Sequence, residues 1–177
     1  MFWNVFRRSP ADPTALTSHW WQEADRAGLE PDRATIDRLR AATTPASAPA
    51  SPDEAENQQE MIDGLDALLP LGVTGALPIV DTQHRVIGAD TCHLLVPATL
   101  AGEVAVPGKI FLTSARLVFA GGRAQAWAWH RVRTVRRAGR SVLVVIAGSE
   151  TAVHLQCNSY GDALLVTYVA NRLTTAS

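Results

Sequence analysis

The sequence predicts an α+β fold in which a helical N-terminal extension precedes an antiparallel sandwich or barrel of about seven strands, closed by one C-terminal helix. Three observations predict it. From Leu77 onward the apolar pattern leaves helical spacing for period-2 alternation, with glycine-bearing turn signals about every 8–12 residues. The central stretch Lys109–Gly122 holds two alternating runs, Ile110–Leu112 and Leu117–Phe119, on either side of Thr113-Ser114-Ala115. Gly121-Gly122 then supplies the positive-φ positions of another hairpin turn. After Ser159 the spacing becomes helical again, through Tyr160, Leu164 and Tyr168.

Composition narrows the class. A hydrophobic content of 47% excludes wholesale disorder. No uncharged apolar run approaches the ~20 residues of a membrane span. Met1–Arg8 places its arginines after its apolar residues, the reverse of a secretory signal, so a cytoplasmic protein is expected, with the inner membrane face as a peripheral alternative. Cys92 and Cys157 are accordingly expected as reduced, buried thiols. The net charge of −1 conceals a segregation: residues 1–70 carry twelve acids against six arginines, whereas residues 109–177 carry nine basic residues against Glu150 and Asp162. That asymmetry is the main functional signal.

The elements follow in order. Residues 1–42 predict a helical pair. Asp12-Pro13 opens the first helix, Leu16, Trp20 and Ala24 share a face, and Gly28 stops it. Glu30-Pro31-Asp32 opens the second, with Ile36 and Leu39 on one side. Residues 43–52, rich in Pro, Ala and Ser, cannot offset the entropy of ordering and are expected to be a flexible linker. Ser51 and Glu54 form a capping box for an acidic amphipathic helix over 53–72, which should stop before Pro70 or Gly72. A third unit, 73–177, starts with short strand-like pieces at Leu77–Val80 and Arg85–Ile87. Strands are then expected at Cys92–Leu100, through the central hairpin, at Ala124–Trp129, around Val132 and Val135, at Val142–Ile146 and at Val153–Cys157. Ser159 with Asp162 starts the terminal helix.

The segment Gly108-Lys-Ile-Phe-Leu-Thr-Ser-Ala-Arg-Leu-Val-Phe119 resembles the corresponding segment of GRAM domains and related bacterial PH-like domains. Gly88–His93 resembles the start of that family's first strand, with Asp90 where glutamate is usual. The resemblance spans Pro78–Leu173. It implies a PH-like fold, two orthogonal antiparallel sheets capped at an open corner by the C-terminal helix. It also implies a binding module for lipid head groups, peptides or proteins rather than a catalyst. The loop Ala101–Gly108 departs from the phosphoinositide-binding pattern, having Glu103 and no basic residue before Lys109.

Candidate binding residues are basic. Arg131, Arg133, Arg136, Arg137 and Arg140 crowd one predicted hairpin, with Lys109 on the central strand, and like charges this close favour an anionic partner. A phospholipid surface would supply ~1 kcal/mol per basic residue. A protein partner or the chain's own acidic helix, Asp53–Glu60, would serve as well. Nucleic acid is disfavoured, because the basic stretch lacks aromatics at stacking intervals. Phe2, Trp3 and Phe6 form an apolar tip suited to a membrane interface or a partner. Trp127 and Trp129 share a strand face and are expected to pack. His154 with Cys157, and Cys92 with His93, would point to opposite strand faces, which disfavours a metal site. No catalytic motif occurs, and no cofactor is expected. The expectation is a non-catalytic protein-interaction adaptor, the alternative a peripheral protein binding anionic lipids through the basic hairpin.

Overall fold

The computed structural model describes residues 13–43 and 51–176, with side chains on the first helix from Ser18. The apolar tip at Phe2, Trp3 and Phe6 and most of the expected linker therefore lie outside the described residues. Helices α1 (Pro13–Ala27), α2 (Arg33–Ala42) and α3 (Pro52–Thr74) come first. Strands β1 (Cys92–Leu100), β2 (Val106–Thr113), β3 (Arg116–Ala120), β4 (Gln125–Ala128), β5 (Val132–Ala138), β6 (Ser141–Ile146) and β7 (Val153–Cys157) follow, then helix α4 (Tyr160–Thr175).

The strands form one antiparallel ladder in the order β4-β3-β2-β1-β7-β6-β5. Its two halves meet in β1, whose Leu94–Leu100 stretch pairs with β2 while its last residues, Ala98–Leu100, also pair with β7. The alternation seen in the sequence sends Ile110, Leu112, Leu117, Phe119, Val142, Val144 and Leu155 to one interior, where each is fully buried. Helix α4 closes that interior with Val166, Val169 and Ala170. Seven antiparallel strands around one core, capped by a C-terminal helix, make the fold PH-like.

Trp129 differs from expectation. The strand ends at Ala128, and Trp129 begins a short 3-10 turn, which drives its indole into the core. There its Nε1–H donates to the Thr113 carbonyl at 2.7 Å, satisfying the polar end of an otherwise apolar side chain. Trp127 is half-buried against the same core.

The expected strand pieces at Leu77–Val80 and Arg85–Ile87 are not strands. Residues 75–91 run as an irregular segment over the outer face of β2 and β3, where Ile87, Val80 and Val86 cover Phe111 and Val118. Their apolar spacing serves this covering rather than a ladder. Asp90 pins the segment by accepting from Arg116 Nε at 2.9 Å, with the Thr113 hydroxyl 3.2 Å away. Thr113 Oγ1 also accepts from the Arg116 amide at 3.0 Å, closing the β2–β3 turn. The threonine and arginine that carry the family resemblance are therefore structural here.

Helix α3 also differs. It runs through Pro70 to Thr74 and ends where Gly75 adopts φ 65° and donates to the Leu71 carbonyl. Pro70 is on the exposed face, so water can solvate the carbonyl that its missing N–H leaves free. At the other end Ser51 caps the helix, but Glu54 does not complete a capping box; its carboxylate accepts from the Trp21 indole at 2.7 Å.

The helical extension packs on the outer face of α4. Trp20, Ala24, Ile36, Leu39, Met61, Leu65 and Leu68 form a second core with Leu164, joined by Tyr160, Leu165 and Tyr168. Helix α4 thus divides its faces between the barrel and the extension. Its closest neighbour is α3, where a Cβ on Gly64 would stand 2.5 Å from the Gly161 Cα.

Candidate functional site

The five clustered arginines do not stay together, because β5 changes face. A bulge between Val132 and Thr134 puts both Val132 and Val135 inward, three residues apart. Beyond it Arg136 points outward opposite Leu143, and Arg137 turns in beside Val142. The Arg137 side chain is only 10% exposed and pairs with Asp25 of α1. Arg140, past the β5–β6 turn, grips Glu60 of α3 through both carboxylate oxygens, Nη2 at 2.9 Å and Nε at 3.2 Å. Its Nη2 also donates to Asn57 at 3.0 Å, and its guanidinium lies 5.4 Å from the centre of the Tyr160 ring. The same Glu60 accepts from the Tyr160 amide at the start of α4.

Two of the five arginines are thus engaged by acids of the chain's own extension. Arg140 meets the chain's own acidic helix, one of the partners the sequence left open, whereas Arg137 meets an acid of α1 that the sequence did not single out. Arg131, Arg133 and Arg136 remain exposed and have no acid partner among the described residues; Arg131 makes only a 3.4 Å contact to the Ala147 carbonyl. Lys109 is exposed on β2, with β1, β7 and β6 between it and β5 in the ladder, so it does not join them.

The exposed arginines border a groove. Strand β5 ends the ladder, so no described strand pairs with its outer edge. Between that edge and α4 lies a cavity of about 410 Å³, of a size that takes a side chain or small ligand. Val135, Arg136 and Arg137 form one wall and the α4 stripe Leu164, Tyr168, Asn171 and Arg172 the other. The end of α1 closes it with Asp25, Gly28 and Leu29. A Cβ on Gly28 would stand 2.5 Å from Leu164 Cδ1 and would have to push that side chain aside. Leu29 is 70% exposed, which gives the mouth an apolar rim. Arg172 is held in place, donating to the Gly75 carbonyl at 2.7 Å and to the Tyr168 hydroxyl at 3.1 Å.

Neither the α4 stripe nor the α1 end was marked by the sequence. One signal was present: polar Thr167, Asn171 and Thr175 recur every four residues along a helix whose other faces are largely apolar. Among the described residues no group of three or more His, Cys, Asp or Glu side chains is placed to hold a metal, and no helix is long and apolar enough to cross a membrane. Cys92 and Cys157 are both free and buried, and burial pushes the Cys157 thiol up to about 12, with Asp162 adding to the shift.

No protein-family model and no curated protein matches the chain. Solved structures do. The chain is similar to the linker-DH/PH domains of p115-RhoGEF, with TM-score 0.46 and 9% identity, covering 93% of this chain and 55% of that one. It is similar to the DH/PH domain of human ARHGEF11, crystallised with human RhoA and an inhibitor, with TM-score 0.47 and 11% identity over 90% of this chain and 54% of that one. A third match is the C-terminal domain of an unknown protein from Leishmania infantum, with TM-score 0.44 and 9% identity over 50% of this chain and 89% of that one. The chain spans little more than half the length of the two DH/PH chains.

Proposed function

We propose that the chain is a non-catalytic, GRAM-like binding module that captures an extended acidic segment of a protein partner along β5. One observation carries this: β5 is an open sheet edge beside an apolar-walled groove, and Arg131, Arg133 and Arg136 on or beside it have no acid partner among the described residues. An added strand would draw affinity from main-chain hydrogen bonds, and a side chain in the groove would add specificity. The arginines would select acidic sequences and speed their encounter, most strongly at low salt. The groove's polar side chains support binding rather than chemistry. Thr167 and Thr175 already bond backbone carbonyls of α4, and among the described residues Asp25 is the only carboxylate in the lining.

The test uses the full chain with capped heptapeptides that alternate valine with glutamate or with lysine, and with phosphatidylserine–phosphatidylcholine vesicles. The expected result is that the glutamate peptide alone slows amide exchange in β5, and that Arg131, Arg133 and Arg136 changed together to serine abolish the effect. Equal protection by the lysine peptide would refute the role. So would arginine-dependent vesicle binding with no peptide binding, which would point to a lipid-binding protein instead.

A further inference from the structure

The closed end of the groove holds a lopsided ion pair. Arg137 donates through Nη2 to the Asp25 carboxylate and through Nη1 to the Gly139 carbonyl at 3.1 Å. The Arg137 side chain is 10% exposed, whereas that of Asp25 is 59% exposed. Asp25 lies in the last turn of α1, which ends at Ala27, where the helix dipole disfavours a carboxylate. No other described acid pairs with Arg137, and no other described cation pairs with Asp25. Burial pushes the Arg137 guanidinium down from its usual range, with Tyr160 acting the other way. A cation held this far from water requires an anion; a carboxylate this exposed does not require a cation.

We propose that Arg137 is a further anion-selecting residue, inside the groove that Arg131, Arg133 and Arg136 border, and that Asp25 is its internal competitor, displaced when an acidic side chain of the bound strand takes its place on the guanidinium. This rests on the strand-capturing role proposed above and adds what the site selects. Exchange is feasible because only one partner is deeply placed. Asp25 can turn to water at small cost, while Arg137 passes from one carboxylate to another without standing alone. Both residues line the groove, so the incoming carboxylate needs no new opening. A strand with glutamine at that register has nothing to exchange, so it must bind beside an intact Asp25–Arg137 pair. The groove's own share of the selection is therefore set by a difference between two carboxylates on one guanidinium.

The experiment compares wild type with Asp25→Asn, using the capped valine–glutamate heptapeptide and its valine–glutamine counterpart. Affinity is measured by fluorescence anisotropy, engagement by amide exchange in β5, and folding by the urea midpoint. Asparagine keeps an oxygen for Arg137 but removes the competing charge. The expected result is an affinity gain of about three- to tenfold for the glutamate peptide and none for the glutamine peptide. Arg137→Gln should reduce the preference between the two peptides to the part that Arg131, Arg133 and Arg136 supply, and should erase the effect of Asp25→Asn on it. Unchanged affinity, an equal gain for both peptides, or a parallel loss of affinity and urea midpoint would each overturn the proposal, the last by making Asp25 a structural tether. If the peptides protect β5 but Asp25→Asn leaves their ratio unaltered, only this inference fails. If neither peptide protects β5 in either protein, the strand-capturing role fails and this inference falls with it.

Discussion

The crossing of α3 and α4 gives the sharpest test of how the extension is attached. An alanine in place of a mid-helix glycine ordinarily stabilises by ~1 kcal/mol, because glycine has more backbone freedom to lose. Gly64→Ala should do the opposite. The new Cβ would stand 2.5 Å from the Gly161 Cα and 3.4 Å from its carbonyl carbon and oxygen. Carbon atoms in contact sit ~3.5–4.0 Å apart, so the helices must part by ~1 Å, and a gap of that size forfeits a quarter to a half of each neighbouring contact. Met61, Leu65 and Leu68 flank Gly64 and are fully buried, so they lose most. An overpacking cost of ~1–3 kcal/mol cancels or outweighs the propensity gain and leaves a net loss of up to about 2 kcal/mol. Urea unfolding followed by tryptophan fluorescence should show one transition whose midpoint falls with an unchanged slope, because both cores share α4. Gly161→Ala should act the same way, and the double variant should lose less than the sum. A Gly64→Ala protein more stable by ~1 kcal/mol would refute the close crossing.

Other consequences follow from named contacts. Phe119 is fully buried in the barrel core, so Phe119→Ala should cost ~3–5 kcal/mol in the same urea assay, and a loss below ~1 kcal/mol would contradict its placement. Changing Arg131, Arg133 and Arg136 together to serine should leave stability within ~0.5 kcal/mol. Arg140→Ser alone should cost ~1–3 kcal/mol and speed amide exchange in the first turns of α3, because half-buried Glu60 loses its two-pronged donor; equal effects of the two changes would show that the arginines are not divided as described. For Cys157, whose thiol burial raises from 9.0 to about 12, the stabilisation is fully present below pH ~9 and is lost as pH rises towards about 12. Iodoacetamide at pH ~8.5 should leave it unlabelled in the native chain and label it in urea; rapid native labelling would show that it is not buried.

Most of the barrel was legible because alternation and turn residues act over short range. Ile110, Leu112, Leu117 and Phe119 point inward as their spacing predicts. The segment over 75–91 was misread because a loop that covers a sheet face needs apolar residues as much as a strand does, and periodicity over three or four positions does not separate the two. Helix α3 outlasted its expected stop because Pro70 fell on its wet side, a property of the packed helix rather than of the local sequence. The division of the arginines was partly legible. Val132 and Val135 are three apart, which a regular strand cannot bury on one face, so the bulge had a signature. Glu60, 80 positions from Arg140, lies in the acidic helix that the charge segregation offered as a partner, whereas nothing marked Asp25, 112 positions from Arg137.

Those distances bear on how the extension would take part in the proposed binding. Its attachment is apolar through Leu164, Leu165 and Tyr168 and ionic through Asp25 and Glu60, and both sets converge on α4 and the β5–β6 turn. Undocking the extension as a whole would bare the outer face of α4 and strip Arg137 and Arg140 of their acids at once. Each half-buried charge left alone carries a penalty of a few kcal/mol. A lid that opens by moving α1, α2 and α3 together is therefore disfavoured, and the extension acts as a fixed wall of the groove. What can change cheaply is the single exposed carboxylate of Asp25. Any selectivity the extension confers on β5 should accordingly act through one side chain at the end of α1, with α2 and α3 serving to hold that end in place.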